Sequence, residues 1–209
     1  EDKAFFEQLR DTYEPGAPMW ITEVAQAACG GDRWAAQYLD VIRYIDNLGR
    51  LATGDGDVVF HNTLAASDYG LIDEDGMEPR PNYWAAVLWQ RLMGPKVLEV
   101  GSGGEVDDLA VYAQCTPDDE PGVTYAVVNS SASEERTVTT STGAAEVYLL
   151  TSDALDSPTI ALNGTVLEAA EAGTLPKLAP VDANGAVTVP AASVAFVVDR
   201  DGNAAAGCG

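Results

Sequence analysis

The sequence predicts an α/β segment followed by an all-β segment, changing near residue 100. Before that point, helical periods alternate with short apolar runs. After it, apolar residues recur with period two between Gly, Pro, Asp and Asn. A third signal is Asn163-Gly164 between "TIAL" and "TVLEA", a two-residue hairpin signature.

Phe5, Phe6, Leu9 and Tyr13 predict a helix over 2–13, ended by Pro15-Gly16 and Pro18. Met19 to Thr22 reads as a short buried strand ending at Glu23. "DRWAAQYLDVIRYIDNLGRL" predicts an amphipathic helix, with Asp32 as N-cap and Gly49 as stop. "DVVFHNTL" is a second buried-type strand, followed by a loop through Asp68-Tyr69-Gly70 and Asp73. "PNYWAAVLWQRLMG" predicts another helix, with Pro81 near its start and Gly94 at its end. Trp20, Trp34, Trp84 and Trp89 lie on element faces and are expected in the core.

Strand–helix–strand–helix is the unit of parallel α/β folds. Two such units cannot close a (β/α)8 barrel and would leave both sheet edges open. Completion by another chain is therefore expected. Beyond residue 100, candidate strands are "LAVYAQC", "VTYAVVNSS", "RTVTTS", "AEVYLLTS", "PTIAL", "TVLEA", "AVTVP" and "SVAFVVD". This punctuation predicts a β-sandwich, with Ala183–Asp201 as a closing hairpin.

The 209 residues carry 33 acidic and 11 basic side chains, a net charge of −22. Such a surface repels nucleic acid and anionic membranes. No run of 18 apolar residues predicts a transmembrane helix, and no signal peptide is visible. Glu1-Asp2-Lys3 reads as the start of a mature or cleaved chain. Of Cys29, Cys115 and Cys208, one pair can bridge and leave one thiol free. Asn129-Ser130-Ser131 and Asn163-Gly164-Thr165 fit the N-glycosylation pattern, so Asn129 and Asn163 are candidate acceptors. Together these features lean toward a secreted protein, extracellular or periplasmic. His61 is the only histidine and has no metal-ligand set around it. No metal and no cofactor is expected.

A carboxylate at the C-terminal end of a barrel strand stands where parallel barrels keep their chemistry. Glu23 has that place, and Gly30-Gly31 follow it. Glycines let backbone N–H groups approach a ligand because no Cβ intervenes. Amides of this kind suit an anionic or hydroxyl-rich group.

With "MWITEV", "GGDRWAAQYLDVIRYIDNLGRLATGDGDVVFHNTLAASDYGLID", "PRPNYWAAVLWQRLMGPKVLEV", "LAVYAQCT" and "VPAASVAFVVD" in this order, the chain resembles the C-terminal half of the heparanase and β-glucuronidase family of retaining glycoside hydrolases, family 79. The resemblance implies that residues 1–97 are the last two β/α units of a catalytic (β/α)8 TIM barrel, and that 98–209 form an antiparallel β-sandwich. It implies that Glu23 is the nucleophile and that a second carboxyl group first protonates the leaving oxygen. It implies that Tyr69 and the backbone amides at Gly30 and Gly31 hold a uronate carboxylate. His61 and Asn62 stand where animal members carry Arg-Gln and are candidate substrate contacts. A disulfide between Cys115 and Cys208 is also implied. Ala28 and Cys29 depart from the family, which introduces its glycine run with an aromatic residue.

The family's acid/base glutamate lies in an Asn-Glu pair on an earlier strand, and no Asn-Glu pair occurs here. The expected partner is an N-terminal chain from the same precursor or operon, and the expected substrate is a uronic-acid-containing glycan. The scattered basic residues favour an exo-acting β-glucuronidase, or an enzyme for weakly charged glycans, over one gripping a long sulfated chain. Two alternatives are another TIM-barrel-plus-sandwich glycosidase and a catalytically inactive extracellular glycan-binding or structural protein on the same scaffold.

Overall fold

Two parallel strands flanked by helices open the chain. The computed structural model describes residues 2–27, 29–53, 56–100, 107–117, 122–170, 174–200 and 208. Helix α1 (Asp2–Tyr13) leads to strand β1 (Met19–Val24). A short 3-10 turn (Arg33–Ala36) and helix α2 (Leu39–Ala52) then cross to strand β2 (Gly56–His61). β1 and β2 pair in parallel, with Ile21 opposite Val59 and Val24 opposite His61. Helix α3 (Pro81–Leu92) begins on its proline and packs on α2. Buried Asp40 of α2 joins the two helices, because it accepts from Asn82 Nδ2 at 2.5 Å and from Arg43 Nη2 at 2.9 Å.

Three sequence expectations are corrected here. Asp32 caps the 3-10 turn, accepting from the Trp34 N–H, but the long helix does not start there. Gln37 is extended, and α2 begins only at Leu39. The reason is tertiary: the Tyr38 and Leu39 N–H groups donate to Ser157 O and Leu155 O, each at 2.8 Å. Gly49 does not stop α2, which continues to Ala52. A Cβ at Gly49 would overlap the Tyr112 ring, so this glycine serves close packing. Trp84 is buried and Trp89 packs against the core, but Trp20 is 59% exposed and Trp34 39% exposed.

The remaining strands form one eight-stranded antiparallel sheet. They are β3 (Val97–Leu98), β4 (Leu109–Cys115), β5 (Val123–Asn129), β6 (Arg136–Thr151), β7 (Ala161–Leu162), β8 (Thr165–Val166), β9 (Val181–Val189) and β10 (Ser193–Asp199). The path runs β3-β4-β5-β10-β6-β7-β8, with β9 on β6. The expected "RTVTTS" and "AEVYLLTS" are a single strand, β6, whose register against β9 shifts between Thr139 and Ala144. Gly143 lies at that irregularity with φ +89, a conformation that glycine tolerates. Among the described residues, hydrogen bonding runs without a break through all eight of these strands. Asp201, the expected end of the closing hairpin, lies outside the described residues, and β10 ends at Asp199.

Two cores flank the sheet. One joins Tyr38, Ile45, Trp84 and Leu88 of the helices to Val128, Leu150 and Phe196. The other joins Val127, Ala195 and Val197 to Val187 and Val189 of β9, so β9 lies across that face. Cys115 and Cys208 form a disulfide, and Cys29 is free and exposed. Asn163 and Gly164, with φ of 49° and 80°, make the turn from β7 to β8. The expectation of a glycan at Asn129 is corrected: the residue is 0% exposed, and its Nδ2 faces the carbonyls of Glu134, Val189 and Pro190. The Nδ2 of Asn163 is likewise engaged by Val147 O and Ala179 O, which tie its turn to the sheet.

Candidate active site

The ends of β1 and β2 bring Glu23, His61 and Asn62 side by side. The Asn62 N–H continues the ladder by donating to Val24 O at 2.8 Å. The Asn62 side chain is thereby directed across to β1, where its Nδ2 donates to Glu23 Oε1 at 2.9 Å. The same nitrogen donates to Tyr69 Oη at 3.3 Å. Glu23 is exposed and Tyr69 is buried. Because the Tyr69 oxygen accepts from Asn62, the phenolic hydrogen is left for another acceptor.

His61 meets the backbone of this tyrosine. Its Nε2 lies 2.9 Å from Tyr69 O, and a carbonyl only accepts, so Nε2 carries the proton. Nδ1 is buried without a partner. The Tyr44 ring meets the imidazole edge-on, with centroids 5.0 Å apart. Burial holds the His61 pKa below the usual imidazole value, and Arg43 pushes it the same way against the Tyr69 bond. His61 therefore acts as a neutral backbone donor here, behind Tyr69.

The glycine pair is built around the same side chain. Cys29, Gly30 and Gly31 have φ of 59°, 104° and 82°. A Cβ on Gly31 would come 2.7 Å from Tyr69 Cδ1, so only glycine lets the ring lie on that backbone. The Asp68 N–H donates to Gly30 O at 3.0 Å. The loop after β1 and the loop after β2 are thus one packed unit. Ala28, which precedes them, lies outside the described residues.

Arg80 is a participant that the sequence reading missed. Its Nη1 donates to Ser67 O, Asp68 O and Gly70 O at 2.6, 2.8 and 3.2 Å. Its Nη2 pairs with Asp73 Oδ1 at 3.2 Å. Asp73 Oδ2 accepts from the Gly76 N–H at 2.7 Å, and this bond is the leading reason that the Asp73 pKa is lowered. Asp73 is therefore a loop-building residue. The available signal was positional: an arginine directly before a proline that starts a helix is held extended, with its side chain free to turn back onto the preceding loop.

A groove of about 1350 Å³ lies between α2 and strands β4–β5, but its lining includes none of Glu23, His61, Asn62 and Tyr69. It is a feature separate from the cluster of Glu23, Asn62 and Tyr69. Among the described residues, no group of three His, Cys, Asp or Glu is arranged to hold a metal. No helix among them is long and apolar enough to cross a membrane.

A strand-end carboxylate joined to an amide and a phenol from the next β/α unit suits a glycosidase site. Solved structures agree on the fold: its neighbours are glycoside hydrolases with TIM-barrel folds. The α-L-arabinofuranosidase of Thermotoga maritima superposes with a TM-score of 0.66 at 17% identity, over 95% of this chain and 47% of that one. No protein-family model matches the chain. Sequence comparison finds heparanases and a β-glucuronidase among the relatives of the chain. Mouse heparanase is 31% identical over 212 residues, 92% of this chain and 39% of its own length. Human inactive heparanase-2 is 29% identical over 228 residues, 96% of this chain and 38% of its own. The baicalin-β-D-glucuronidase of Scutellaria baicalensis is 29% identical over 205 residues, 93% and 38% respectively. The chain is a relative of the heparanase and β-glucuronidase family, as its motifs implied. It spans about two-fifths of the length of these relatives.

Proposed function

We propose that the chain is the C-terminal part of a retaining glycoside hydrolase that removes β-linked glucuronic acid from glycans or glycosides. In this reading, residues 1–97 supply the last two β/α units of the barrel and 98–209 a β-sandwich. The remaining units come from an N-terminal chain of the same precursor or operon. The half-open sheet supports this: Trp20 and Phe60 are 59% and 45% exposed, their rings touch, and a parallel sheet is ordinarily covered on both faces. The disulfide and the family's relatives are consistent with an extracellular setting.

The convergence of Glu23, Asn62 and Tyr69 carries the reading. Glu23 Oε attacks the anomeric carbon while the bond to the aglycone oxygen breaks. The acid/base carboxyl, on the completing chain, gives that oxygen its proton. The same group then takes a proton from water, which displaces Glu23 and releases the sugar with retained configuration. The free Tyr69 hydrogen and the amides of the Gly30–Gly31 turn are donors for the uronate carboxylate. All are neutral, so the site recognises one terminal charge. The net charge of −22 then disfavours a long sulfated polyanion.

The test is labelling of the complete enzyme with a 2-fluoro-β-glucuronide. Peptide mass mapping should find the sugar on Glu23, and Glu23→Gln should abolish labelling and turnover. Sugar on another carboxylate would refute the assignment. An absence of both labelling and turnover would favour the inactive glycan-binding alternative, for which the 29% identity to inactive heparanase-2 is the supporting observation. Turnover of an aryl β-glucuronide without depolymerisation of heparan sulfate is expected, and the reverse pattern would overturn the exo reading.

A further inference from the structure

The geometry points to Arg80 as a positioning residue that sets substrate affinity through Tyr69; this rests on the reading of Tyr69 as a uronate contact. The loop carrying Tyr69 is held against its own conformational preference. Ala66 and Ser67 precede it with φ of 72° and 67°, a region that residues with a Cβ rarely adopt. A backbone turned this way points several carbonyls inward, where each needs a donor. One guanidinium supplies them, with Nη1 shared among Ser67 O, Asp68 O and Gly70 O, the carbonyls on both sides of Tyr69. The Arg80 side chain is only 15% exposed, and Asp73 fixes its other nitrogen. The Arg80 N–H donates to Leu71 O at 2.9 Å, so backbone and side chain clamp the same loop. From Arg80 the contacts run to the carbonyls that flank Tyr69, and from Tyr69 Oη they continue to Asn62 and on to Glu23.

A lysine cannot replace this arrangement. Its ammonium is a compact point charge, without the planar fork that reaches the carbonyls and Asp73 together. In the complete enzyme, Arg80→Lys should raise KM for an aryl β-glucuronide roughly ten- to a hundredfold with a smaller change in kcat. Tyr69→Phe should do the same. The double variant should be no worse than the more affected single one, because both act on one contact. Multiplying effects, or an Arg80→Lys KM equal to that of the parent, would overturn the role of Arg80 while leaving Tyr69 in place. A Tyr69→Phe variant with unchanged KM would remove the Tyr69 reading and this inference with it. Thermal midpoints separate misfolding from misplacement. If Arg80→Lys does not fold, Asp73→Asn tests the same clamp: it keeps an acceptor for Gly76 and removes the charge facing Nη2. A severalfold rise in KM supports the role, and an unchanged KM overturns it.

Discussion

Asn62 donates to Glu23 Oε1 at 2.9 Å, so the strand-end amide of one β/α unit steadies the carboxylate of the other. A hydrogen bond to a charged group contributes about 1.5–3 kcal/mol. Asn62→Ala should therefore lower kcat/KM for an aryl β-glucuronide by roughly ten- to a hundredfold in the complete enzyme. Steady-state kinetics would check this, and parent-like values would make the amide a bystander.

His61 makes stability depend on pH. Burial holds its pKa below the usual imidazole value, so the unfolded chain takes up a proton at about 6.5 while the folded chain does not. The unfolded state then binds more protons, and stability rises with pH. The contribution is complete above about pH 6.5 and is lost as pH falls through the lower folded value. Urea midpoints between pH 5 and 8 should slope less in His61→Gln than in the parent. Equal slopes would mean that another group carries the dependence.

Gly49 and Tyr112 join α2 to β4. Alanine in a helix interior is ordinarily better than glycine by about 1 kcal/mol. At this site the new methyl overlaps the Tyr112 ring, and overpacking costs about 1–3 kcal/mol. Gly49→Ala should destabilise the parent and stabilise a Tyr112→Ala background. The same sign in both backgrounds, read from urea midpoints, would exclude the contact as the cause.

The Cys115–Cys208 bond closes a separation of 93 residues. Cys208→Ser should cost about 2–5 kcal/mol through the added freedom of the unfolded chain. Cys29→Ser, at an exposed free thiol, should stay within about 0.5 kcal/mol. A Cys29 variant as unstable as the Cys208 variant would contradict the pairing.

The sequence made much of this legible, and its misses share a cause. Element types followed from periodicity, and Glu23 stood out because a carboxylate ending an apolar run is conspicuous. Gly49 misled because a glycine near the end of a helical pattern reads as a stop, while its partner Tyr112 is distant in sequence. Asn129 read as a sugar acceptor because its tripeptide is local, while the three carbonyls around its amide come from residues 134, 189 and 190. Trp20 read as core because an apolar strand is normally covered, and here its face is open. Arg80 left almost no trace, because its role depends on carbonyls turned inward by the unusual backbone at Ala66 and Ser67.

All seven residues of β10 are buried, because Val194, Phe196 and Val198 face one core while Ala195 and Val197 face the other. β5 and β6 pair on either side of it. No partial opening frees this strand without dissolving both layers together. In deuterium exchange its amides should be the last to gain mass, at a rate that reports the global unfolding equilibrium.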